Sequence, residues 1–164
     1  MADLDKLYEG LGFSDIITYI QSGNIIFKTG HINSVKGLSA KIEEAIQQKY
    51  GFDVPVILRT PDEMKEIINS NPFQPLTGHL AEKLYVTFLE EKPQSAIIEK
   101  INHFDFLPDK FVINEKEVYL NCAAGYGTTK LSNTFFENKL KVRATTRNWN
   151  TVNKLLELAT ESKF

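Results

Sequence analysis

The sequence predicts an α+β fold made of two tandem βαββαβ-type units, the first of which lacks its opening strand. Three observations predict it. Runs of β-branched and aromatic residues alternate with stretches whose apolar residues recur every three to four positions. Both halves of the 164-residue chain spell helix, strand, strand, helix, strand, helix, and the second half adds a strand in front. Between the halves, residues 71–82 hold Pro72, Pro75 and Gly78, a composition that suits a connection. The expected organisation is a first repeat over 1–72, a linker over 73–82 and a second repeat over 83–164.

Each element has a local reason. Leu4, Leu7, Tyr8 and Leu11 share one face of a helix that Gly12 ends. "IITYIQ" (16–21) and "IIFK" (25–28) predict the strands of a hairpin around "SGN" (22–24). Residues 36–50 predict a helix with Leu38, Ile42, Ala45, Ile46 and Tyr50 inward, and "VPVIL" (54–58) predicts a strand. Thr60, Pro61 and Glu63 supply a cap, a first-turn proline and a capping-box acid for a helix burying Met64, Ile67 and Ile68, which Pro72 stops. The second half then predicts a strand over 84–89 and a helix over 94–104. "KFVIN" and "EVYLN" follow as a hairpin around Glu115 and Lys116. A helix over 128–140, a strand over 142–145 and a helix over 149–160 complete it.

The halves also match by residue. At an offset of 88, Val54, Val56 and Leu58 fall on Val142, Ala144 and Thr146, and Met64, Ile67 and Ile68 fall on Val152, Leu155 and Leu156. In a ferredoxin-like βαββαβ unit the first strand lies between the third and the fourth. Without it, segments 25–28 and 54–58 flank a gap lined by open backbone donors and acceptors. The expectation is a chain that starts late, at an internal methionine, or another segment in the gap; a homodimer covering it is a third option. The third and fourth strands are expected to run in opposite directions. That would put the loops after residues 121 and 145 at opposite ends of the sheet.

Composition bounds the function classes. Hydrophobic residues make up 42% and charged residues 24%, ordinary values for a globular chain with a sizeable core. The net charge is −2, with no overall pull toward nucleic acid or an anionic membrane, yet it is uneven. Residues 125–156 carry Lys130, Lys139, Lys141, Arg143, Arg147 and Lys154 against Glu137. Such a positive region suits an anion or a phosphate backbone, or is a solvated helix face. The one cysteine, Cys122, makes no internal disulfide and reads as a buried thiol. No apolar run reaches membrane-spanning length, and no signal peptide is visible, so a cytoplasmic setting is the default. No H-E-x-x-H, cysteine pair or nucleophile elbow occurs, so neither a metal nor a cofactor is expected.

The stretches "TYIQSGNIIF", "YGFDVPVILRT", "NPF", "VTFLEEKP", "VYLNCAAGYGTTKLSN" and "ATTRNWNTVNKL" resemble, in the same order, the bacterial family called domain of unknown function 1697. The resemblance implies two ferredoxin-related α/β repeats. It also implies a strand and a Gly-rich loop ahead of the helix at 2–12, which this sequence lacks. It implies no reaction, because the family carries no established activity.

Two segments are candidates for a site. In "TTRNWNTVNKL", Trp149, Val152, Leu155, Leu156 and Ala159 form one helix stripe, so Trp149 reads as packing. Asn148 falls opposite Thr60 and reads as an N-cap. Arg147 beside a helix N-terminus opposes the helix dipole, so capping does not explain it. An anion site and a salt bridge to the other repeat both stay open. The second segment runs Gly125, Tyr126, Gly127, Thr128, Thr129, Lys130. It offers backbone N–H groups and a cap at Thr128 or Thr129, but it is not a Walker loop. A tight turn before a helix is the competing reading. Ser22 and Asn24 form a hairpin turn by composition, and a binding role for them rests on the resemblance. The leading expectation is a binding protein for a phosphate-bearing ligand, nucleotide or nucleic acid, using Arg147, Asn148, Lys130, Thr128, Thr129 and Tyr126. A small-molecule enzyme with its site in the cleft between repeats, or a structural or oligomeric module, are the alternatives.

Overall fold

The computed structural model describes residues 2–19, 23–30, 35–73, 81–123 and 125–161. It is a mixed α+β chain with two antiparallel sheets and six α-helices among these residues. Packing divides it into two compact units. The first comprises the chain up to Pro61 together with the segment from Lys154, and the second spans Asp62–Asn153.

In the first unit, α1 (Ala2–Gly10) leads into the hairpin β1 (Ser14–Tyr19) and β2 (Asn24–Lys28), and α2 (Val35–Tyr50) follows. Gly12, at φ 90°, releases the chain from α1 in a conformation that costs other residues a Cβ clash. Leu7, Tyr8, Phe13, Ile42 and Ile46 are buried together. Phe13 and Phe27 stack with centroids 4.5 Å apart, and Tyr8 meets the Phe27 ring at 5.3 Å in an edge-on contact. The Asn24 side chain closes the hairpin by donating to the Tyr19 carbonyl at 3.2 Å.

The strand expected over 54–58 forms no ladder among the described residues. Alternation had the right period: Val54, Val56 and Leu58 all pack on the core just described. A strand, however, is defined by a neighbour, and the sheet here consists of β1 and β2. The Val56 N–H donates instead to the Glu43 carboxylate of α2 at 2.9 Å, which satisfies a backbone donor that pairing would otherwise take.

The second unit opens with α3 (Pro61–Asn69) and then runs β3 (Leu84–Leu89), α4 (Ser95–Ile101), β4 (Lys110–Asn114), β5 (Glu117–Asn121), α5 (Asn133–Leu140) and β6 (Ala144–Asn148). Its last helix, α6 (Trp149–Glu161), crosses into the first unit at Lys154. The sheet order is β4-β5-β3-β6, and every neighbouring pair is antiparallel. Leu89, Val118, Leu120 and Ala144 face Ile101, Leu131, Phe136 and Leu140, so α4 and α5 cover one face. On the other face Tyr119 donates its hydroxyl to the Ile67 carbonyl of α3 at 2.7 Å, and Lys116 approaches Glu63 at 3.8 Å.

Three expectations change here. Both β5 and β6 run antiparallel to β3, with Asn121 opposite Leu84 and Asn148 opposite Tyr85. They therefore run the same way and finish at the same end of the sheet, because a helical crossover returns the chain parallel to the strand it left. The helix expected over 128–140 begins at Asn133. Ser132, not Thr128 or Thr129, caps it by accepting from Phe135 N at 3.2 Å. The last strand extends to Asn148 rather than stopping at 145, because β3 still offers partners at Tyr85, Val86 and Thr87.

Candidate functional site

The candidate residues of the second unit gather where β5 and β6 end. After β5 the chain buries Cys122, makes a 3-10 turn over Tyr126–Thr128 and reaches α5 through Thr129, Lys130 and Ser132. The Tyr126 ring stacks on Tyr85 of β3, centroids 4.8 Å apart and 30° between planes. Its hydroxyl accepts from the Asn133 backbone N–H at 2.9 Å. The Asn133 side chain donates to the Ala144 carbonyl at 2.9 Å and accepts from the Thr146 hydroxyl at 3.0 Å. With that proton committed, Thr87 is the donor in its 2.7 Å contact with Thr146. The turn, the start of α5 and the edge strand β6 are thus tied into one polar network around a stacked tyrosine pair.

Thr129 donates to the Asp109 carboxylate at 2.5 Å and accepts from the Leu131 N–H at 3.1 Å. That double engagement explains why it does not cap α5. Burial pushes the Cys122 thiol up to about 11; the Thr129 hydroxyl pulls it back and the Asp109 carboxylate pushes it further up. The thiol therefore stays protonated near neutrality, unlike a nucleophilic cysteine. Tyr85 is also raised, first by burial and then by Cys122 and Tyr126.

Arg147 sits opposite Val86, so strand alternation turns it to the sheet face opposite Thr146. Its guanidinium donates to the Thr145 hydroxyl at 2.7 Å and the Thr146 carbonyl at 2.8 Å, and burial draws its pKa below the usual value. Asn148 accepts from the Thr151 N–H at 2.8 Å, the N-cap of α6. Lys130 is exposed. Tyr126, Thr128, Thr129, Lys130, Arg147 and Asn148 thus share one end of the sheet, with Arg147 on a separate face. Asn24 belongs to the first unit, and Ser22 lies outside the described residues.

Sequence reasoning missed Asn133, Tyr85, Thr87 and Asp109. The signal available for Asn133 was its place in "LSN" beside a capping serine, just before an apolar run. Among the described residues, no group of three His, Cys, Asp or Glu side chains is placed to hold a metal ion, and no helix is long and apolar enough to cross a membrane.

These features define an α+β protein whose second sheet carries a polar, tyrosine-flanked end, with a buried protonated thiol behind it. The chain belongs to the family described as protein of unknown function (DUF1697), whose model matches residues 1–119. Its fold is similar to that of the conserved bacterial protein SP0830 from Streptococcus pneumoniae, at 20% identity and a TM-score of 0.72. The similarity covers 98% of this chain and 88% of that one. No curated protein matches.

Proposed function

We propose that the chain is a non-enzymatic binding protein for a phosphate-bearing ligand, a nucleotide or a nucleic acid, held at the end of the second sheet where β5 and β6 finish. The observation that supports this is the common direction of β5 and β6, since Asn121 and Asn148 both pair with the first residues of β3. The Lys130 loop and the start of α6 then approach one ligand from two strands. The charge of segment 125–156, six basic residues against one acid, favours an anion. The Asp109 carboxylate beside Thr129 disfavours a phosphate on that side, which leaves Lys130 and the β6 end as contacts. A cytoplasmic setting, where nucleotides abound, belongs to the same proposal.

The fold reading that accompanies it is a tandem pair of ferredoxin-like repeats, the first incomplete, over 1–72 and 83–164. It is supported by the start of α3 at Pro61 and of α6 at Trp149, the offset of 88 seen in the sequence. Binding of nucleotides, RNA and DNA, measured between ~50 and ~200 mM salt, tests the function. The expected result is binding that weakens with salt, and a salt slope reduced by about 1 for each of Lys130→Ala and Arg147→Ala. Binding indifferent to both substitutions refutes it.

A further inference from the structure

On the helical face of the second unit, α4 and α5 leave a groove of about 510 Å3 between them. Its floor is apolar: Ile101 is 1% exposed, Ile97 is half-buried, and Phe104 contributes a ring that is 46% exposed. Its rim carries Lys100, Lys139 and Lys141, and among the described residues no acidic side chain lines it. Among the described residues none of these three ammonium groups is in an ion pair. Lys139 instead holds its Nζ 5.3 Å from the centre of the Phe104 ring. Lys141 sits at φ 60°, the left-handed position closing α5, where glycine or asparagine is the cheaper residue.

Two costs coincide at this place. Three like charges ring one hollow, and each raises the energy of the others. Beneath them lies apolar surface that stays in water, which is unfavourable in proportion to the area left unburied. One occupant removes both costs: a molecule with an apolar body and a negative head. The hollow falls within the roughly 300–1,000 Å3 typical of small-molecule sites, which favours a single small ligand over a protein segment or a bilayer. Among the described residues the rim supplies lysines and no arginine, so it offers point charges that take a single anionic head without a bidentate geometry.

We propose that the α4–α5 groove binds a free organic anion of the medium-chain carboxylate class. The aliphatic body lies on Ile97, Ile101 and Phe104, and the carboxylate accepts from Lys100, Lys139 and Lys141. This site is separate from the end of the sheet where β5 and β6 finish and does not rest on the phosphate reading.

The test is calorimetric titration of the full chain with dodecanoate below its micelle concentration. 1-Dodecanol and anionic phosphatidylglycerol vesicles serve as the other arms. The expected result is saturable one-to-one binding of dodecanoate, weakened roughly tenfold or more in the triple variant Lys100→Gln, Lys139→Gln, Lys141→Gln, with weaker binding of the alcohol. Phe104→Ser, a change at an exposed side chain, is expected to weaken both. Lys130→Ala and Arg147→Ala leave dodecanoate binding unchanged, which separates this proposal from the phosphate reading. Thermal unfolding of each variant at the wild-type midpoint keeps loss of binding distinct from loss of fold. No saturable dodecanoate binding, equal binding by the triple variant, or binding to vesicles without binding of the free anion overturns the proposal.

Discussion

Replacing Tyr119 by phenylalanine removes one oxygen and keeps the ring, so its cost isolates one hydrogen bond. Tyr119 is 1% exposed, and its hydroxyl donates to the Ile67 carbonyl at 2.7 Å. That carbonyl belongs to the last turn of α3, where helical carbonyls lack an intrahelical partner. The nearby Asn71 N–H is directed to Ile68 instead, at 3.4 Å. Tyr119→Phe therefore strands a buried acceptor on a residue that is 4% exposed. Loss of the bond together with the unsatisfied carbonyl amounts to ~1–3 kcal/mol. For a chain of this length, that lowers the unfolding midpoint by about 2–4 °C for each kcal/mol. Urea unfolding followed by Trp149 emission measures it, with an unchanged denaturant slope expected.

The same hydroxyl predicts a pH dependence. Burial first, and then Glu117 and Glu66, push its ionisation above the ordinary 10.0. The unfolded chain releases this proton first as pH rises. The contribution is thus full below pH 10 and declines above it, and in Tyr119→Phe this share of the alkaline decline disappears. A destabilisation below about 0.3 kcal/mol would refute the view that Tyr119 anchors α3.

Asn148→Ala removes the acceptor for the Thr151 N–H and is expected to cost ~0.5–2 kcal/mol, read by the same unfolding assay; Asn148→Asp is expected to retain most of the stability. Cys122, held protonated up to about 11, is expected to resist a thiolate-specific reagent near pH 8 in the folded chain and to react readily in urea. Prompt labelling of the folded chain would contradict its burial.

How far the sequence reaches differs from element to element. β3, β4 and β5 fall where β-branched and aromatic runs place them, bounded by a turn at Glu115 whose φ is 54°. β6 runs on through Thr145, Thr146, Arg147 and Asn148, polar residues that become strand because β3 is there to pair with them. Segment 54–58 shows the converse, an alternating pattern that reaches the core yet has no ladder among the described residues. Periodicity reports which side chains are buried, and pairing depends on what lies alongside. The site divides along the same line. The Asn148 cap is local and legible at the offset of 88, whereas Asn133, Thr146 and Thr87 meet through tertiary pairing that no spacing encodes.

The allocation of α3 to the second unit affects how the chain can be divided. The sequence reading groups α3 with the first repeat, while its buried Met64 and Ile67 belong to the unit that holds the four-stranded sheet. A fragment beginning at residue 83 would carry every strand of that sheet and yet leave the buried hydroxyl of Tyr119 without its acceptor, the Ile67 carbonyl. A protease nick between α3 and β3, which leaves α3 docked, is expected to be tolerated, whereas deletion of α3 with everything before it is not. The repeat expected from the sequence and the unit that packs together are different stretches of this chain.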